Sequence, residues 1–136
     1  IALFSRGDWR RESANGHASD LTHEEWLDLT NGLWAFSGEN RPWEDHPAAF
    51  PEELPRRLIK LLSFPGDLVL DPFAGSGTTH VVAHRLGRQC LSFDLNPAFV
   101  ESSRRRLRTE AGLYGEGEIE RIRATDLWEH TAQESN

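Results

Sequence analysis

The sequence predicts an α/β protein built on a doubly wound parallel sheet with right-handed crossovers. Three observations carry this. Two short apolar runs, LVLD at 68–71 and QCLSFD at 89–94, are each followed by a helix-forming segment. LVLD is wholly apolar up to its last residue, as in parallel strands buried on both faces. Both runs end in an acid, Asp71 and Asp94, at the carboxyl ends of strands where such sheets bind ligands.

The elements follow in order. IALF at 1–4 reads as a strand end, turned by Gly7 and Asp8. Residues 10–20 are polar, carry the turn pair Asn15-Gly16 and read as a mobile loop. Thr22 and Glu25 form a capping box, which opens a helix through Trp26, Leu27 and Leu29 that stops near Asn31-Gly32. LWAF at 33–36 is a short strand or extended segment, and residues 37–51 form a loop with three prolines. In PEELPRRLIKLL, the residues Leu54, Leu58, Ile59, Leu61 and Leu62 recur three and four apart, so 51–62 is an amphipathic helix. After the glycine loop, THVVAHRLG at 79–87 is a helix ended by Gly87. Asn96-Pro97 is an N-cap and first-turn proline for a helix through Arg108. EIERIRAT at 118–125 is a third strand, and the chain ends in a frayed tail.

The chain has 136 residues, 38% hydrophobic and 27% charged, which suits one compact domain. No apolar run approaches the roughly 18 residues of a membrane span, and no leader is visible. Cys90 is the single cysteine, which excludes an internal disulfide and a multi-cysteine metal site; a reduced, cytoplasmic setting is expected. A net charge of −7 argues against a chain whose main task is gripping nucleic acid. The basic groups Arg56, Arg57, Lys60 and Arg104, Arg105, Arg106, Arg108 read as solvated helix faces. The chain opens with Ile1 and has no methionine, so its start is expected not to be the natural one.

The chemistry lies in DPFAGSGTT at 71–79, a loop in which side chains give way to backbone for a ligand. A triphosphate loop needs a lysine after its last glycine, and here Thr78 stands after Gly77. A dinucleotide loop needs a third glycine where His80 stands, and Asp71 would repel a pyrophosphate. S-adenosylmethionine fits better. It has a ribose diol that needs an acceptor acid, no phosphate, and an ammonium that welcomes a carboxylate. Asp94 suits the diol and Asp71 the ammonium. The alternative is structural: Asp71 caps the loop, and Gly75 and Gly77 make a tight turn.

DPFAGSGTT, preceded by HPAAFPEELPRRLIKLLSFPGDLVL and followed by LGRQCLSFDLNPAFVESSRRRL, resembles the C-terminal, cofactor-binding part of the amino-group DNA methyltransferases of the permuted β class. These transfer methyl from S-adenosylmethionine to N4 of cytosine or N6 of adenine. The resemblance covers residues 43–108 at least. It implies a partial Rossmann-like domain of the S-adenosylmethionine-dependent methyltransferase type. Residues 1–45 would be a remnant of a target-recognition or connecting region, 46–126 the S-adenosylmethionine-binding subdomain, and 127–136 a tail. It further implies that Asp71, Pro72, Phe73, Ala74, Gly75, Ser76, Gly77 and Thr78 wrap the methionine portion. Asp94 would hold the ribose, with Leu95 and Asn96 beside the adenine, while His46, Pro47 and Phe50 close over the sulfonium. Trp34 and Trp43 are expected to pack in the core rather than line the pocket. No metal is implied.

The family's catalytic signature, a polar residue followed by Pro-Pro and an aromatic, accepts from the target amine and stacks on the flipped-out base. No two of the seven prolines are adjacent here. In the permuted order that motif lies upstream, so the chain is expected to be the cofactor-binding half of an enzyme, completed by upstream sequence or by a second polypeptide. DNA would be met mainly through those other segments. HPAAFP, in place of an HPTQKP-like string, favours N4-cytosine. The alternative function is a non-catalytic S-adenosylmethionine-binding or interaction module. A prokaryotic or phage cytoplasm is the expected setting.

Overall fold

The computed structural model describes residues 12–13, 16–38 and 50–110. The expected strands at 1–4 and 118–125 lie outside these residues, as does Trp43. Among these described residues, four helices and two strands follow in the order α1 (His23–Leu29), α2 (Glu53–Leu62), β1 (Leu68–Asp71), α3 (Thr78–Arg85), β2 (Gln89–Ser92) and α4 (Pro97–Glu110). β1 and β2 pair in parallel, with Leu68 opposite Gln89 and Asp71 opposite Ser92. The crossover between them is α3, as the strand–loop–helix–strand order predicts.

Local chemistry sets the boundaries. In α1 the Thr22 hydroxyl accepts from the Glu25 amide and the Glu25 carboxylate accepts from the Thr22 amide. α3 stops where Gly87 takes φ +71°, a left-handed value that glycine adopts without steric cost. In α4 the Asn96 side chain accepts from the Ala98 amide, and the helix runs two residues past Arg108 to Glu110. Residues 33–36 form no strand; this irregular segment is pinned by Trp34, whose indole N–H donates to the Leu29 carbonyl at 3.0 Å.

The core lies on one side of the sheet. Ile59 of α2 and Val82 and Ala83 of α3 are buried together, with Val69, Leu86 and Cys90 packed against them. Alternation along β1 then turns Leu68 and Leu70 to the other side, where they are 63% and 61% exposed. Among the described residues, helices cover the face carrying Val69.

The expectation of solvated basic faces also fails at three residues, because each finds acids on another element. Arg57 of α2 reaches Asp28 of α1 at 3.0 Å and lies over the Trp34 ring, 5.5 Å from its centroid. Lys60 donates to both Glu25 oxygens at 2.6 and 2.7 Å, which fastens α1 to α2. Arg106 of α4 is buried against the glycine loop, as described below. Arg105 and Arg108 are exposed, as expected. The polar segment before α1 is also anchored. The Arg88 guanidinium, 3% exposed, donates all five of its N–H groups: to both oxygens of Asp20, to the Leu86 and Ser63 carbonyls, and to the Ser63 hydroxyl.

Candidate cofactor-binding site

The site forms where β1 and β2 end. Beyond Asp71 and Ser92 the two strands' continuations remain stitched: the Phe93 amide donates to the Asp71 carbonyl at 2.9 Å, and the Ala74 amide donates to the Phe93 carbonyl at 2.7 Å. This continuation draws the loop 72–77 across the end of β2. The Asp94 carboxylate then accepts from the Gly75 amide at 2.9 Å through one oxygen and from the Asn96 amide at 2.8 Å through the other. Asp71 accepts from the Phe73 amide at 3.0 Å. The two strand-end acids expected to meet a ligand are thus brought to one edge and tied to one loop.

Neither acid forms a salt bridge with a cationic side chain among the described residues. Each ionised oxygen has further lone pairs beyond the backbone amide it accepts. The edge is therefore an anionic acceptor surface, suited to a cation and to hydroxyl donors and unsuited to a phosphate.

The loop's glycines serve two purposes. Gly75 and Gly77 have φ of +50° and +75°, both in the left-handed region. At Gly77 there is also no room for a side chain: an added Cβ would lie 2.5 Å from Ser103 Oγ and 3.0 Å from Ser103 Cβ. Gly77 is therefore small for α4, the helix behind the loop, which gives that glycine a structural cause. The Gly77 amide donates to the Ala74 carbonyl at 2.7 Å and closes the turn.

The remaining expected residues divide by exposure. Ala74, Gly77 and Thr78 are buried, Ser76 is half-buried, and the Ser76 and Thr78 hydroxyls lie 3.0 Å apart. Pro72, Phe73, Leu95 and Asn96 are exposed at the site's rim. Phe50 is half-buried just before α2, while His46 and Pro47 lie outside the described residues. Trp34 packs under Arg57 between α1 and α2, in agreement with a structural role.

Three residues around the site escaped the sequence reading. His80 Nδ1 lies 2.8 Å from Ser92 Oγ beneath the loop. Burial, with the nearby His84, holds the His80 imidazole below its usual range, against the pull of Asp71. Ser103 and Arg106 face the loop from α4 and are both buried. The signal was present: Phe99, Ser103, Arg106 and Leu107 recur at three- and four-residue spacing, which marks one helix face. Cys90 sits beside this edge on β2, and burial together with Asp71 pushes its thiol up to about 12.

Residues 5–105 match a family of DNA methylases designated N6_N4_Mtase. The chain is similar to the type II methyltransferase M.BglI of Bacillus subtilis, 41% identical over 65% of this chain and 26% of that protein. It is also similar to the DNA adenine methyltransferase YhdJ of Escherichia coli, 46% identical over 48% of this chain and 22% of the relative. Among solved structures it resembles TTHA0409 of Thermus thermophilus, a putative DNA modification methylase complexed with S-adenosylmethionine. The TM-score is 0.62 at 34% identity, over 79% of this chain and 41% of that one. The chain therefore spans well under half of each of these proteins. With the family match running from residue 5 to residue 105, across both strands, the glycine loop and most of α4, the chain belongs to the N6/N4 DNA methylase family.

Proposed function

We propose that this chain is the S-adenosylmethionine-binding part of a site-specific DNA methyltransferase that modifies an exocyclic amino group, with N4 of cytosine favoured over N6 of adenine. The observation that carries the reading is the Asp94 carboxylate held against the Gly75 amide, with Asp71 at the neighbouring strand end. The likeness to a structure complexed with S-adenosylmethionine supports the same ligand here.

The acceptor groups fit that cofactor. When bound, S-adenosylmethionine supplies an electrophilic methyl group on a sulfonium. Asp94 would accept from the ribose hydroxyls, and its charge strengthens those bonds. Asp71 would face the ammonium. The backbone of Ala74–Gly77 lets the methionine end approach closely, and Phe73 and Leu95 would shed water against apolar parts of the ligand. In this reading His46, Pro47 and Phe50 close the pocket from the start of α2, residues 46–126 form the cofactor subdomain, and 1–45 are the remnant of a recognition or connecting region.

The groups that would hold the target amine are a separate matter. No Pro-Pro step occurs in the 136 residues, so those groups are assigned to sequence outside this chain or to a second polypeptide, which would also provide most of the DNA contact. The base preference rests on HPAAFP. The chain is also similar to YhdJ, a relative named for adenine, so N6 of adenine is the second reading.

Titration calorimetry with S-adenosylmethionine tests the cofactor assignment. A methyl-transfer assay on DNA, with and without a polypeptide bearing a Pro-Pro-aromatic motif, tests the division of labour. Binding with transfer restored by the second polypeptide supports the proposal. Binding with no transfer under any complementation favours a non-catalytic cofactor-binding module. Absence of binding contradicts both.

A further inference from the structure

We propose that Arg106 is a positioning residue for the cofactor loop, clamping that loop to the segment that leads into α2; the inference rests on the cofactor reading above. The guanidinium is 6% exposed and all of its nitrogens are engaged. Nη1 donates to Thr78 Oγ1 at 2.8 Å and to the Ser76 carbonyl at 3.3 Å, both in the glycine loop or at its junction with α3. Nη2 donates to Glu52 Oε1 at 2.6 Å, at the N-cap of α2 and two residues after Phe50. Nε donates to Glu110 Oε2 at 2.9 Å, one turn along α4.

One rigid planar group thus spans three elements that are distant in sequence. Ser103, one turn before Arg106, abuts Gly77, so α4 supports the loop at two points. Arg106 touches none of the residues assigned to the ribose or the ammonium. Its contacts instead set where the Ser76 carbonyl and Thr78 hydroxyl stand relative to Glu52 at the start of α2. A lysine keeps the charge but has a single nitrogen, which cannot reach Thr78, Glu52 and Glu110 together.

Backbone amide exchange and cofactor affinity, measured on the full chain for wild type, Arg106→Lys and Glu52→Gln, test the inference. Glu52 is given no cofactor contact; one of its oxygens accepts from Arg106 and the other from Arg85 of α3, so the loop-specific exchange at Gly75 and Gly77 is the readout that reports on Arg106. Faster exchange at the Gly75 and Gly77 amides in both variants is expected, with the β1–β2 amides still protected. S-adenosylmethionine affinity should fall by roughly ten-fold in Arg106→Lys, the loss of about one charge-assisted hydrogen bond's worth of loop order. Unchanged exchange at Gly75 and Gly77, or equal acceleration across all amides, overturns the positioning role. So does undiminished affinity in Arg106→Lys. If wild type itself fails to bind the cofactor, the cofactor reading falls, and the exchange pattern still decides whether Arg106 positions the loop.

Discussion

The Asp94 carboxylate and the Gly75 amide, 19 positions apart, meet at 2.9 Å and join the end of β2 to the loop after β1. The acid assigned to the ribose therefore also shapes the loop assigned to the methionine end. Asp94→Asn separates the two roles, since the amide keeps one accepting oxygen and loses the charge. Affinity for S-adenosylmethionine should fall by about 1.5–3 kcal/mol in Asp94→Ala, and by less in Asp94→Asn. Equal losses in the two variants, read by calorimetry, would mean that charge alone matters.

At Gly77 an alanine would meet two obstacles. A left-handed φ costs a residue with a Cβ about 1–2 kcal/mol, and the new methyl would press on Ser103. Gly77→Ala should lower stability by about 2–4 kcal/mol in denaturant titrations, combining that strain with overpacking. Adding Ser103→Gly should recover part of the loss by removing the Oγ and Cβ it strikes, and no recovery would mean that the conformational term dominates.

The Arg88–Asp20 clasp predicts a coupling between the start of α1 and the α3–β2 turn. Asp20→Ala leaves a buried guanidinium short of two acceptors. Destabilisation of about 2–3 kcal/mol is expected, a buried pair being costly to break and Asp20 being partly exposed. Thermal unfolding of the variant against wild type measures it.

The same clasp has an acid limit. The Arg88 hydrogen bonds hold the Asp20 carboxyl below its usual range, and those from Lys60, then the Thr22 amide, do the same for Glu25. Because both groups are depressed in the folded chain, their stabilisation is complete above the ordinary carboxylate values. It is lost as pH falls through the lower folded ones, below about pH 4. The melting temperature should drop more steeply in that window for wild type than for Asp20→Asn paired with Glu25→Gln.

Cys90 should resist alkylation. With the thiol raised to about 12 by burial and by Asp71, almost no thiolate exists at pH 8. Iodoacetamide labelling, followed by mass, should be slow in the folded chain and fast in denaturant. Rapid labelling of folded protein would contradict this packing of β2.

What was legible in the sequence was local. The Thr22–Glu25 box, the Asn96-Pro97 start and the apolar LVLD run each carry their structural cause within a few residues, and the corresponding elements form where expected. The two strand-end acids were legible because topology alone places them at one edge. What escaped depended on partners far away. Arg106 reads as one of four arginines in a short run until the loop, 28 positions earlier, is folded against it. Lys60 reads as solvated until Glu25, 35 positions away, reaches it. Gly77 looked cleared for a ligand, and only the packing of α4 shows that Ser103 also requires it.

The central claim is that the edge formed by Asp71, Asp94 and the loop between them holds S-adenosylmethionine. Calorimetric titration of wild type and Asp94→Ala with that cofactor tests it most directly. Saturable binding by wild type, weakened by about ten-fold or more in the variant, is the predicted result. Equal affinity in the two proteins, or no binding to wild type, would contradict it.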